Sequence, residues 1–145
     1  PMSELIFHGR IPDGLLYDAD YNMWLQRAGD AVVVGATSFG LFLAGTVIAF
    51  TPKPLGAQVA CTRGFGTVEC AKTVLALHAP VALQLTASNE AAETDPRILL
   101  RDPYGEGWMV RGTALDWATD HPRLLDAQAY RAHILAAMPG AVIEP

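Results

Sequence analysis

The sequence predicts a mostly β fold, a small sandwich or barrel with a helix at its C-terminal end. Three observations predict it. Short β-branched and aromatic runs recur along the chain, each bounded by Gly, Pro, Asn or Asp, which is the pattern of many short strands joined by tight turns. The uncharged stretch 31–50 is long enough to span a bilayer as one helix. However, Gly35, Gly40 and Gly45 divide it evenly and β-branched residues crowd both ends, so it reads as strand, short helix, strand. In the tail, Leu124, Leu125, Ala127, Ala129, Tyr130, His133 and Ile134 recur at helical spacing.

Taken in order, Leu5-Ile6-Phe7 is expected as an edge strand, and Ile11-Pro-Asp-Gly14 is turn chemistry. Tyr21–Gln26 reads as a strand with Tyr21, Met23 and Leu25 alternating against Asn22, Trp24 and Gln26. Gly29-Asp30 turns the chain into a strand over Ala31–Val34. A short helix is predicted over 38–44, with Thr37-Ser38 at its N-cap. Val47–Phe50 is the next strand, ended by Pro52 and Pro54. Gln58–Cys61 is another. Thr67 and Val68 lead into a hairpin whose second arm is Val74–Leu77, and Val81–Thr86 follows with Val81, Leu83 and Leu85 on one face. Ser88 is expected to cap a short helix and Asp95-Pro96 to start another. Asp102–Gly107 is a tight loop, and Trp108–Val110 returns as a strand. The last helix is placed over about 122–137, capped by Gly140.

The length of 145 residues fits one domain, 1–145, with 51% hydrophobic residues to fill its core. The net charge of −5 argues against nucleic acid as a partner, and no Lys/Arg run suggests a membrane surface. The two cysteines, Cys61 and Cys70, suit a reducing compartment rather than a disulfide scaffold. Residues 1–5 show no basic segment followed by an apolar run, so no secretory signal is expected and the location is read as cytoplasmic.

Little in the sequence points to catalysis. His8, His78, His121 and His133 are scattered, with no metal-ligand spacing, so no metal is expected. Gly64-Phe-Gly66 lacks the rest of a phosphate-binding pattern. No base is placed near Ser38, Ser88 or Cys70, so no nucleophile can be assigned. Trp24 and Trp108 read as core or near-core aromatics. One residue breaks a local rule. Lys72 crowns the predicted hairpin turn, where Asn-Gly or Asp-Gly is favoured, and such departures mark candidate sites. Glu69 lies close by. Cys70, two residues before Lys72, would share its face in an extended strand; the plainer reading is a partly buried small hydrophobe.

The run Val68-Glu-Cys-Ala-Lys-Thr-Val74 resembles the lipoyl-lysine segment of the glycine cleavage H-protein family, Val-Glu-Ser-Val-Lys-Ala-Val. Leu77-His-Ala-Pro-Val81, Asn89-Glu-Ala-Ala92 and Asp102-Pro-Tyr-Gly-Glu-Gly-Trp108 match further family patterns without a gap, and Leu124–Tyr130 resembles the start of its C-terminal helix. The resemblance covers about 17–134. It implies a barrel-sandwich hybrid, or hammerhead, with a core over about 17–112. It also implies lipoic acid in amide linkage to Lys72, with Glu69 and Cys70 as recognition residues beside it. The implied role is that of a carrier without catalytic residues, modified by a lipoate ligase or lipoyl transferase. The partners implied are glycine decarboxylase, aminomethyltransferase and dihydrolipoamide dehydrogenase. The chain departs from the family at Cys70 (serine), at Leu83 (glycine), before Trp24-Leu25, and at Phe50-Thr-Pro-Lys53. That last stretch is similar to H-like lipoate-binding proteins of bacterial sulfur oxidation. There the arm would carry sulfur for a heterodisulfide-reductase-like sulfur-oxidising complex. A third reading keeps Lys72 free on an H-like interaction module.

Overall fold

The computed structural model describes residues 5–144; of the segment 1–5 read as free of a secretory signal, all but Leu5 lies outside them. In chain order the elements are β1 (His8–Arg10), β2 (Leu16–Asp18), β3 (Met23–Ala28), β4 (Ala31–Ala36), α1 (Ser38–Ala44), β5 (Val47–Pro52) and β6 (Gln58–Val59). There follow β7 (Gly64–Cys70), β8 (Val74–His78), β9 (Leu83–Ser88), α2 (Glu90–Thr94), α3 (Arg97–Arg101) and β10 (Val110–Ala114). The chain ends with α4 (Trp117–Asp120), a 3-10 turn (His121–Arg123), α5 (Ala127–Ala137) and β11 (Val142–Glu144). The fold is therefore mostly β with short helices and a C-terminal helix, as expected.

A six-stranded sheet in the order β2-β3-β4-β10-β9-β6 packs against a three-stranded sheet, β5-β7-β8. Met23, Leu25, Val32, Val34, Leu83 and Leu85 of the first sheet meet Phe50, Phe65, Val68 and Leu77 of the second in one buried cluster. Burial of apolar area drives this association. A second cluster lies under α5, where Trp24, Tyr17, Phe7 and Phe39 pack with Tyr130 and Ile134. The expected alternation along β3 holds, though the strand begins at Met23 and not at Tyr21. Met23 and Leu25 face one core and Trp24 the other, so both faces of the strand are covered.

The stretch 31–50 folds as strand, helix and strand. Among the described residues no helix is long and apolar enough to cross a membrane. At the start of α1, Thr37 Oγ1 accepts from Gly40 N at 3.0 Å and lies 2.8 Å from Tyr130 Oη. Tyr130 Oη donates to Asn22 Oδ1 at 2.8 Å. One hydroxyl holds one proton, so the chain runs Gly40 N–H to Thr37 to Tyr130 to Asn22, each donating to the next. It ties α1 to α5 across 93 residues of sequence.

Several boundaries differ from expectation. Leu5–Phe7 is not a strand: β1 begins at His8 and pairs in parallel with β11, a C-terminal strand the sequence did not suggest. Phe7 instead plugs the second cluster. Ser88 ends β9, and Asn89 takes the N-cap position of α2 without capping by its side chain. Its amide donates to the carbonyls of Glu106 and Trp108, both at 2.7 Å. Trp108 precedes β10, which starts at Val110. α5 begins at Ala127, capped by Asp126 Oδ1, which accepts from Ala129 N at 2.8 Å. Leu124 and Leu125 lie before it, and Leu125 bridges to Tyr17. The helix ends at Ala137 with Met138, not Gly140, at its C-cap.

The Leu77–Val81 crossover is held from outside. Arg123 donates to the Pro80 carbonyl at 3.1 Å and pairs with the buried Asp18 at 3.0 Å. Asp120 Oδ2 accepts from Ala82 N at 2.9 Å. Burial works against the Arg123 charge, but the attraction and hydrogen bond of Asp18, together with Cys61 and Asp20, outweigh it and hold its pKa above the ordinary value.

Candidate functional site

β7 and β8 form the predicted hairpin, with Ala71-Lys72 as its two-residue loop. Cys70 N donates to Thr73 O at 2.7 Å and Thr73 N to Cys70 O at 3.3 Å, which closes the ladder. The register runs Glu69↔Val74, Val68↔Leu75 and Thr67↔Ala76. The lysine in place of Asn-Gly has a physical explanation. Outside glycine, positive φ occurs among the described residues only at Asn22 and Thr62. The loop therefore needs neither Gly nor Asn, and it is not one of the primed turns that match strand twist. A third segment restrains it instead: Ala71 N donates to Thr46 O at 3.1 Å, in the connection between α1 and β5.

Alternation along β7 sends Val68 and Cys70 inward and Thr67 and Glu69 outward. Cys70 is 4% exposed within the main cluster, beside Val47, its register partner on β5. Burial pushes its thiol pKa up. The strand ends at Cys70, so Cys70 and Lys72 do not share a face, which corrects the extended-strand expectation. Lys72 is exposed. Among the described residues it has no ion pair and no side-chain hydrogen bond. Glu69 is exposed on the outer face between Ala49 and Val74. Gly66, further down β7, sits against β5: a Cβ there would lie 2.7 Å from Thr51 O.

Beneath the hairpin, Tyr21, Met23, Leu41, Val68, Leu75 and Leu77 line an apolar cleft of about 80 Å³. Tyr21 stacks on His78 with ring centres 3.9 Å apart, and His78 Nδ1 donates to Thr62 O at 2.7 Å. A larger open groove, about 680 Å³, lies elsewhere, between Asn89–Asp95, Ile98 and Glu106–Trp108, with no wall from the hairpin. The segments Asn89–Ala92 and Asp102–Trp108, prominent in the sequence, therefore meet each other through Asn89 rather than meeting Lys72. The four histidines do not converge either, and no three His, Cys, Asp or Glu groups among the described residues could hold a metal ion. The bracing by Thr46 was missed because a backbone carbonyl leaves no mark in the sequence.

This arrangement presents one unpaired primary amine on a restrained tip. A family model described as "Glycine cleavage H-protein" matches residues 15–136. The glycine cleavage system H protein of Mycolicibacterium vanbaalenii is 38% identical over 130 residues, covering 86% of this chain and 96% of that protein. That of Chlorobaculum parvum is 43% identical over 126 residues, covering 86% and 97%. The crystal structure of a glycine cleavage system H protein from Mycobacterium marinum superposes with a TM-score of 0.74 at 32% identity, covering 83% of this chain and 96% of that one. The chain belongs to the glycine cleavage H-protein family.

Proposed function

We propose that Lys72 bears lipoic acid in amide linkage and that the protein is a carrier, itself a substrate of other enzymes. The observation behind this reading is the position of Lys72: exposed, unpaired, and alone at the tip of a braced hairpin. Such a tip fits the group, because nothing among the described residues competes for the amine or screens it from an attaching lipoate ligase or lipoyl transferase. When bound, the group supplies a dithiol on a flexible arm that accepts and releases an aminomethyl cargo. The chain's part is to hold the attachment point at a fixed height and leave the arm free, which raises the cargo's effective concentration in a docked active site.

Glu69, exposed beside the turn, is the side chain an attaching enzyme meets first. Cys70 contributes to recognition from below, by fixing where the turn begins. Family membership favours glycine decarboxylase, aminomethyltransferase and dihydrolipoamide dehydrogenase as clients, and two unpaired cysteines suit a cytoplasmic setting. The test is reconstitution. The lipoylated protein with those three components and glycine should release CO₂, and Lys72→Ala should not. Lipoylated protein that supports no release, but takes up thiosulfate-derived sulfur on its reduced arm, would reject the aminomethyl cargo in favour of sulfur.

A further inference from the structure

The tip elements carry almost no charge. α1, β5 and β8 contain no Asp, Glu, Lys or Arg, and β7 contains only Glu69. Lys72 is the one cation of the tip. Around it the chain exposes large apolar side chains from two strands. Ile48, 54% exposed, sits in the β5 bulge between Val47, paired with Cys70, and Ala49, paired with Glu69. Val74, 60% exposed, is paired with Glu69 from the other side. Leu43 is exposed at the end of α1, three residues before the brace at Thr46. Elsewhere the surface is charged, with carboxylates on α2 (Glu90, Glu93) and on the Asp102–Gly107 loop (Asp102, Glu106), and arginines at both ends of α3.

We propose that Ile48 and Val74, with Leu43 beside them, form an apolar collar that docks the enzyme acylating Lys72. The occupant follows from chemistry. Any enzyme that brings its acyl carbonyl to the Lys72 amine must cover the residues flanking that amine, and these are apolar on both sides of Glu69. Its face is therefore apolar with a counter-charge for Glu69 alone, not a basic surface reading the chain's net negative charge. The inference rests on the proposed acylation of Lys72. It has a second consequence. Amide formation removes the tip's only positive charge, so the modified tip presents collar and arm as one uncharged surface broken only by Glu69.

The experiment follows modification by a lipoate ligase with lipoic acid and ATP, by intact mass over time. The double variant I48E/V74E should lose about tenfold or more in kcat/KM, chiefly through KM, with an unchanged thermal midpoint. I48L/V74I should retain the wild-type rate. So should Leu55→Glu, a control at a residue 59% exposed on the β5–β6 loop. The wild-type rate should change less than about twofold between about 50 and about 500 mM salt. Unchanged kinetics in I48E/V74E, or a steep fall with salt, overturns the collar while leaving the carrier reading intact. A wild-type dimer that I48E/V74E dissociates overturns it in favour of a second copy as occupant. No modification of wild type at all overturns both.

Discussion

Replacing Thr37 by Val keeps the shape of the side chain and removes its hydroxyl. Thr37 is fully buried. The change deprives Gly40 N of its 3.0 Å acceptor and Tyr130 Oη of its donor at 2.8 Å. Loss of an N-cap costs about 1 kcal/mol, and a buried hydroxyl left short of a partner costs about another 1–2 kcal/mol. Thr37→Val should therefore destabilise by about 2–3 kcal/mol, or about 6–10 °C in thermal midpoint for a chain of this size. Tyr130→Phe should cost about 1–2 kcal/mol, since it removes the bonds to Thr37 and Asn22 without a cavity. Both variants break the same Thr37–Tyr130 bond, so the double variant should be more stable than the sum predicts, by about 1 kcal/mol. Urea unfolding of the four proteins measures this directly. Strict additivity, or a Thr37→Val midpoint within about 1 °C of wild type, would show that α5 and α1 are not joined through this chain of hydroxyls.

Three further outcomes follow from the same structure. Native Cys70 should resist iodoacetamide at about pH 8 while the half-exposed Cys61 reacts slowly, with both reacting in denaturant; peptide mass mapping reads the difference, and rapid native alkylation of Cys70 would place it outside the core. Burial raises the Tyr17 and Tyr130 pKa values above the ordinary tyrosine range, so the unfolded chain releases those protons first. Their contribution is full below about pH 10 and falls above it, and urea midpoints should decline from about pH 10 upward, beginning earlier where the buried Cys70 thiol adds the same sign. Gly66→Ala should destabilise by about 1–3 kcal/mol, because its Cβ would meet the Thr51 carbonyl and Pro52 Cα, both backbone atoms that cannot move aside cheaply; thermal unfolding tests it.

The parts of the fold legible in the sequence were those written by side-chain periodicity and turn chemistry. The helix over 38–44 was readable because Thr37 caps it and glycines flank a short apolar run. The inward face of Val81, Leu83 and Leu85 was readable from its period of two. Where tertiary partners override local pattern, the reading failed. Leu124 and Leu125 fit a helical period but serve a bridge to Tyr17 and the core, so α5 starts later. Ser88 and Asn89 both suit an N-cap, and only the demands of the Glu106 and Trp108 carbonyls decide how Asn89 is used. β11 exists through pairing with β1 across the whole length of the chain, which local sequence cannot encode. At the site, Lys72 stood out as a departure from turn rules. Its surroundings did not: the inward turn of Cys70 and the brace from Thr46 depend on register between β5 and β7.

Lys72 is the one residue proposed to be acylated, and the chain offers an internal control. It has two lysines, Lys53 and Lys72, both exposed. Lys53 lies between prolines at the end of β5, away from any hairpin tip. Coexpression with a lipoate ligase, followed by intact mass and peptide mapping, should give a single lipoyl group, on the Lys72 peptide, with Lys53 unmodified and Lys72→Arg blank. An unmodified wild type, or lipoyl distributed over both lysines, would rule out Lys72 as the single attachment point.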